Sequence, residues 1–259
     1  MIARRLVSMA AATTPDLSPA DTVAAAAVGG FDGAGIWFDP TTWTDAVARE
    51  VRMRLDDTGL VALDIEPVIF GPNGDHGEAL VDAALAIGAR HVLMASRHPE
   101  RARTVERFGA LCDRAAPGGV TVVLEFLPIF TVGNLAAAVS IVREAGRTNG
   151  AVLVDNLHLA RSGGSAADLA MVDRALLPYI QLSDAPVDPP AELYPEASDG
   201  RLLPGEGGLP LHDVLAAVPH VPVSVELRSA ELRRRHPDAV ERARVVWTAT
   251  RRVMEGGAG

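Results

Sequence analysis

The sequence predicts a single (β/α)8 barrel, the TIM-barrel class of α/β fold, and three observations carry that prediction. Short apolar, β-branched runs alternate with longer helical patterns in eight units of roughly 28 to 30 residues, as a barrel of alternating strands and helices requires. Four successive late runs each lead into an oxygen-bearing side chain: Glu125, Asp155, Gln181 and Glu226. The C-terminal ends of barrel strands converge on one face, so these four would share one mouth. At 259 residues and 48% hydrophobic content, the chain suits one domain over 1–259.

The elements follow in order. Leu6–Ala10 reads as a first short strand; the arginines before it and the brief apolar run only weakly imitate a secretion leader. Ser18-Pro-Ala-Asp opens the first helix with serine at the N-cap and proline where its missing N–H is not needed, and Gly29-Gly30 stops it. Gly35–Asp39 is the second strand and 41–58 the second helix. Leu60–Pro67 is the third strand, closing on Glu66, followed by a glycine-proline turn and a helix over 75–88 with an apolar stripe through Leu80, Ala84 and Ile87. His91–Ser96 with a helix over 99–114, and Val120–Glu125 with a helix over 134–145, make units four and five. Ala151–Asp155 leads to a helix expected from Ser162 to Leu176. Tyr179–Gln181 precedes a long proline-rich loop at 185–209, Leu211–Val218 is a short helix, Pro222–Leu227 the last strand and Asp238–Met254 the closing helix. Gly29-Gly-Phe-Asp-Gly-Ala-Gly precedes a strand rather than following one, so it fails the dinucleotide-binding context of an open doubly wound sheet.

Composition narrows the function. A net charge of −9 and scattered arginines argue against a nucleic-acid partner, and no run approaches the apolar length of a membrane span, about 20 residues. The Arg233–Arg235 triplet reads as a solvated helix start. All 24 residues of the Lys+Arg count are arginine, which excludes lysine Schiff-base chemistry and the phosphate-loop lysine. Cys112 is the single cysteine, so there is neither a disulfide framework nor a thiolate metal cluster, and a cytoplasmic setting is expected.

A buried carboxylate needs a cation, a proton or water against it. Glu125, Asp155, Gln181 and Glu226 offer oxygen alone with three negative charges, which suits one divalent metal ion, Mg2+ or Mn2+, better than zinc. His158 and Asp184, each three residues beyond a rim residue, are expected in the same mouth, His158 as substrate contact or proton relay. Taken singly, each of these residues could instead pair a loop arginine or cap a helix.

In this order, Glu125, Asp155-Asn-Leu-His158, Gln181-Leu-Ser-Asp184, Pro204-Gly-Glu-Gly207 and Ser224-Val-Glu226, the chain resembles the xylose isomerase-like sugar isomerase and epimerase superfamily over nearly its whole length. The likeness to ketose 3-epimerases implies that Glu125 and Glu226 bind the ion and flank the substrate carbon as acid and base. It also implies a ligand role for Asp155 and a substrate contact for His158. Most members carry histidine where Gln181 stands, and the epimerase arginine has no counterpart at Val187, Arg201 being the nearest candidate. A related branch resembles 3-dehydroshikimate dehydratase, where glutamine can take that third position. Its substrate carboxylate calls for an arginine, and Arg97 and Arg228 follow strands four and eight. Arg201, Arg228, Arg97, Asp184 and Glu66 therefore form the expected substrate-binding set.

The expected activity is proton abstraction beside a carbonyl through an enediolate, giving a sugar or polyol isomerase or epimerase. Loss of a β-hydroxyl instead gives the runner-up, a dehydratase of a cyclic hydroxy-ketone. A non-catalytic binding or partner subunit is the third reading. The expected partner is a small polar ketose, keto-polyol or cyclic hydroxy-ketone. The long loop serves as lid and specificity element, or as a subunit contact in a homo-oligomer.

Overall fold

Strands that are apolar on both faces need cover on both, and a parallel sheet whose two edges meet leaves no edge exposed. The protein solves both requirements with a closed barrel. The structure, a computed structural model, describes residues 5–256; the two ends of the expected 1–259 domain lie outside the described residues. Eight parallel strands close in sequence order: β1 (Val7–Met9), β2 (Gly33–Trp37), β3 (Val61–Phe70), β4 (His91–Ser96), β5 (Thr121–Glu125), β6 (Gly150–Asp155), β7 (Ile180–Leu182) and β8 (Val223–Val225). Closure pairs Val7, Ser8 and Met9 with Val223, Ser224 and Val225.

Alternation along each strand builds two cores. Val122 and Leu124 of β5, with Val92, Met94, Val152 and Ile180, pack under the helices in the outer layer. Leu63, Leu93, Val123, Ala151, Leu153 and Tyr179 fill the barrel interior. The interior between β8 and β3 is different in kind, because Ser224, Ser8, Gly33 and Gly35 leave it small and polar. Gly35 has a specific reason: a Cβ there would meet Asp64 Oδ1 at 2.6 Å and the Ala11 amide nitrogen at 2.8 Å.

Several elements differ from the sequence expectation, and the second helix and the 162–176 segment do so for a local reason. The second helix starts at Asp45 rather than 41, because Asp39 Oδ1 accepts from the Thr41 amide (2.8 Å) and hydroxyl (2.6 Å) and holds a turn, leaving Thr44 as N-cap. β3 runs on to Phe70, past Pro67. The single helix expected over 162–176 is instead a helix at Asn156–Arg161, a second at Ala166–Ala170 and a 3-10 turn at Arg174–Leu176. Asp155 caps the first of these, Gly163 at φ 77° breaks it, and a Ser165/Asp168 capping box opens the next. The 185–209 loop also contains a helix, Leu193–Asp199. No helix among the described residues is long and apolar enough to cross a membrane.

Candidate active site

The strand pleat that sends Val122 and Leu124 outward sends Val123 and Glu125 inward, and the same alternation aims Asp155, Gln181 and Glu226 into the mouth. All four are buried. Asp155 does two things at once. Its Oδ1 accepts from the Leu157 amide (2.7 Å) and the His158 amide (3.4 Å), starting the helix that carries His158. Its Oδ2 receives Nη1 of Arg201 at 2.5 Å. The same guanidinium nitrogen stands 3.0 Å from Glu226 Oε2 and 3.3 Å from Ser183 Oγ. Arg201 reaches this position because its backbone amide donates to Arg228 O (3.0 Å) and its Nε to Ala197 O (3.1 Å). It is 2% exposed, so a full positive charge is built into the floor of the mouth.

His158 Nε2 lies 3.9 Å from Glu125 Oε1. Glu125, Asp155 and His158 offer ligand atoms all within 4.8 Å of one another, a cluster able to hold a metal ion. Gln181 adds an independent sign. Its Oε1 and Nε2 are both buried and without a hydrogen-bond partner among the described residues. Leaving such an amide bare is costly, and a cation would answer its oxygen. The residues present thus fit a divalent ion, with His158 able to contribute nitrogen.

The electrostatics separate the acids. Burial raises Glu125 well above the ordinary carboxyl range, and the neighbouring Glu226 and Asp155 push it further. Glu226 is raised by burial to about 7, held down from a higher value by Arg201. Asp155 feels the same burial, but Arg201 and His158 outweigh it and hold its carboxyl at about 2. Burial lowers His158 to about 4, so its imidazole is neutral near pH 7.

Above these groups opens a cavity of about 290 Å3. Glu66, Glu125, His158, Arg201 and Glu226 supply its polar wall, while Trp37, Leu93, Ile129, Phe130 and Tyr194 supply an apolar one. Arg97 and Arg228 stand at its rim: the Arg97 guanidinium carbon lies 4.4 Å from the Phe130 ring centre and that of Arg228 5.9 Å from Trp37.

Of the residues expected in the mouth, Asp184 is the exception. It is buried away from the cavity, where its carboxylate accepts from the amides of Ala185 (2.9 Å), Gly205 (2.9 Å), Gly207 (3.0 Å) and Leu209 (3.1 Å). Its place is inside the Pro204-Gly-Glu-Gly207 loop, which explains why that loop is glycine-rich: a Cβ on Gly207 would meet Ala185 O at 2.3 Å. The sequence reading also missed Tyr194, which reaches the mouth from the Leu193–Asp199 helix. That helix is fastened by Glu196, whose carboxylate receives Nε and Nη2 of Arg161, each at 2.8 Å. No sequence signal marked that latch.

A profile of the xylose isomerase-like TIM barrel family matches residues 23–248. The chain belongs to this family. Family members are enzymes, and proteins similar to this chain include ones named as a dehydratase and as epimerases. A 3-dehydroshikimate dehydratase from Pseudomonas aeruginosa is 27% identical over 209 residues, covering 75% of this chain. The chain spans 33% of that curated relative's length. A xylose isomerase-like TIM barrel/4-hydroxyphenylpyruvate dioxygenase fusion protein superposes with a TM-score of 0.84 at 20% identity, over 98% of this chain and 44% of its own. The IolI protein with a bound zinc atom matches with a TM-score of 0.78 at 18% identity, over 97% of each chain. D-psicose 3-epimerase in the presence of D-fructose gives 0.72 at 16% identity, over 96% of this chain and 99% of its own. At these identities the structural matches speak for the fold of the family.

Proposed function

We propose that the protein is a divalent-metal-dependent lyase that removes water from a small cyclic hydroxy-ketone bearing a carboxylate, of the 3-dehydroshikimate class. The observation that carries this reading is the pair of arginines at the mouth, Arg97 on Phe130 and Arg228 on Trp37. A flat anionic ring suits a rim of guanidinium charge and aromatic planes, whereas a neutral sugar leaves that charge unused. Gln181 in place of the histidine usual among epimerases points the same way, as does the curated relative.

Glu125, Asp155, Gln181 and Glu226 would hold the ion, Mg2+ or Mn2+ for an oxygen-rich set, with His158 beside them. Such an ion supplies Lewis-acid stabilisation as negative charge develops on the carbonyl oxygen, worth several kcal/mol. The chain's own residues do the rest. Glu226, buried at the end of β8 and lining the cavity, takes a proton from the carbon beside the carbonyl. Neutral His158 donates to a substrate oxygen, and Arg201 keeps Asp155 ionised. Arg97 and Arg228 orient the carboxylate, and Tyr194 with the loop helix covers the mouth.

A second reading keeps the same first step. Glu125 and Glu226 come from β5 and the end of β8 and both line the cavity, so a proton returned by the opposite glutamate would epimerise or isomerise a ketose. The two readings part on product. Incubation with 3-dehydroshikimate and Mn2+ is expected to build an aromatic ultraviolet chromophore that disappears with chelator and in Glu226→Gln. A fully active chelated enzyme, or a fully active Glu226→Gln, contradicts the lyase reading.

A further inference from the structure

β3 carries two more carboxylates into the barrel that the steps above leave unused. A bulge pairs Ala34 with Ala62 but Gly35 with Asp64, which lets Leu63 and Asp64 both face inward, and two residues on Glu66 does so again at the level of the cavity. Asp64 is fully buried beneath it, with neither oxygen hydrogen-bonded among the described residues; Glu66 Oε1 is equally bare. Carboxylates in that condition do not stay ionised without a counter-charge.

The counter-charges are spoken for. Asp155 and Glu226 have Arg201 against them, and Glu125 faces the neutral imidazole of His158 at 3.9 Å. Glu66 feels Asp64, Glu226 and Glu125, all of its own sign, and of the cations Arg228 at the rim. Below, Asp64 faces the Tyr179 hydroxyl, and Tyr179 stacks on His91 with ring centres 4.9 Å apart. Five inward carboxylates thus meet one buried guanidinium, and a bound divalent ion would still leave negative charge in excess. Burial and these like charges raise Glu66 well above its ordinary value, and burial raises Asp64 to about 6.

We propose that Glu66 is the acid of the reaction, holding a proton in the cavity and delivering it to the departing hydroxyl. The chemistry rests on the lyase reading above. Glu226 takes the proton beside the carbonyl, and the electron pair of that C–H bond moves onto the carbonyl as an enolate, which either takes a proton back or returns the pair to form the new C=C bond. The C–O bond to the β-hydroxyl breaks with its pair going to oxygen, and the Glu66 O–H proton joins that oxygen to make water. Glu66 is left as carboxylate and Glu226 as acid; transfer of one proton from Glu226 to Glu66 restores both. The cyclic dienone so formed becomes aromatic when a ring CH2 proton shifts to the carbonyl oxygen, so no oxidant or further reactant is needed. Residue 66 thereby divides the two steps that a single glutamate pair would otherwise share.

The test uses Glu66→Gln, which keeps shape and polarity but has no proton to give, with Mn2+ and 3-dehydroshikimate in heavy water. The variant is expected to bind Mn2+ as wild type does and to place deuterium beside the carbonyl of recovered substrate, above a metal-stripped control. Aromatic product should fall at least 100-fold, the scale of a lost general acid, and Glu66→Asp should recover part of it. Product within threefold of wild type, or exchange and product falling together while Mn2+ binding holds, overturns the proposal. Infrared difference spectroscopy near neutral pH gives a readout free of substrate: the protonated-carboxyl carbonyl band, to which Glu125 and Glu226 also contribute, is expected to lose one component in Glu66→Gln. A band undiminished in the variant overturns the proton's assignment to Glu66 even where catalysis is lost. If wild type neither exchanges nor dehydrates this substrate, the lyase reading fails and the acid role falls with it, while the infrared arm still decides who holds the proton.

Discussion

Replacing Arg201 with methionine removes the guanidinium that stands 2.5 Å from Asp155 and 3.0 Å from Glu226 while keeping most of the side-chain volume. Asp155 is fully buried and Glu226 is 7% exposed, so water cannot take over. Breaking a buried ion pair from one side strands the other charge and costs about 3–5 kcal/mol. In a chain of this size each kcal/mol shifts the midpoint by about 2–4 °C, so thermal unfolding in EDTA should fall by roughly 10 °C. The acid side should change too. Asp155 is held at about 2 in the fold, so its contribution is present above the ordinary carboxyl value and lost as pH falls toward 2; Arg201→Met abolishes that contribution. Mn2+ should then raise the variant's midpoint more than it raises wild type, because the ion supplies charge where the guanidinium was. Circular dichroism melts with and without Mn2+ measure all of this. A variant melting within about 2 °C of wild type in EDTA, against an expected loss of roughly 10 °C, would refute the reasoning.

Other expectations follow from single features. Gln181→Leu removes two buried polar atoms that have no partner, so stability in EDTA should hold or rise by about 1–2 kcal/mol while Mn2+ affinity, measured by calorimetry, drops; unchanged affinity contradicts a ligand role. Asp64 is raised from 3.8 to about 6, so its ionisation erodes stability as pH climbs through that window. The advantage of Asp64→Asn over wild type in urea denaturation should therefore grow between about pH 4 and pH 8, by up to about 3 kcal/mol, and a flat difference rules this out. Asp184→Ala frees four loop amides, so limited proteolysis should find new cleavage within 203–209, with no such cleavage in wild type. Arg97→Ala and Arg228→Ala should raise KM for a carboxylated substrate more than they lower kcat, and equal effects on an uncharged ketose would remove the carboxylate from their role.

The barrel was legible because its signal is periodic: a strand of β-branched residues, a break, an amphipathic helix, repeated with little insertion. The rim acids were legible for a related reason. A carboxylate closing an apolar strand is an anomaly that burial makes expensive, and Glu125, Asp155 and Glu226 each displayed it in one dimension. What stayed hidden depends on contacts across the chain. Arg201 was expected as a substrate contact, but its pairing with Asp155, 46 residues away, and with Glu226 was not legible, because nothing in its own segment says that the loop folds back beneath the mouth. Asp184 was expected in the cavity because its spacing from Gln181 copies that of His158 from Asp155. But Asp155 begins a helix that carries His158 inward, whereas β7 is followed by a loop whose bare amides claim Asp184 first. The helix at Leu193–Asp199 was masked by prolines on both sides, which read as an unstructured run.

The most direct test of the account is proton NMR in heavy water with Mg2+ or Mn2+, a metal-stripped control and Glu226→Gln, offered 3-dehydroshikimate beside a set of free ketoses and a keto-inositol. New aromatic signals are expected from 3-dehydroshikimate alone, dependent on metal and lost in the variant. Metal-dependent deuterium beside a ketose carbonyl, with 3-dehydroshikimate untouched, would contradict the lyase assignment and put the epimerase reading in its place.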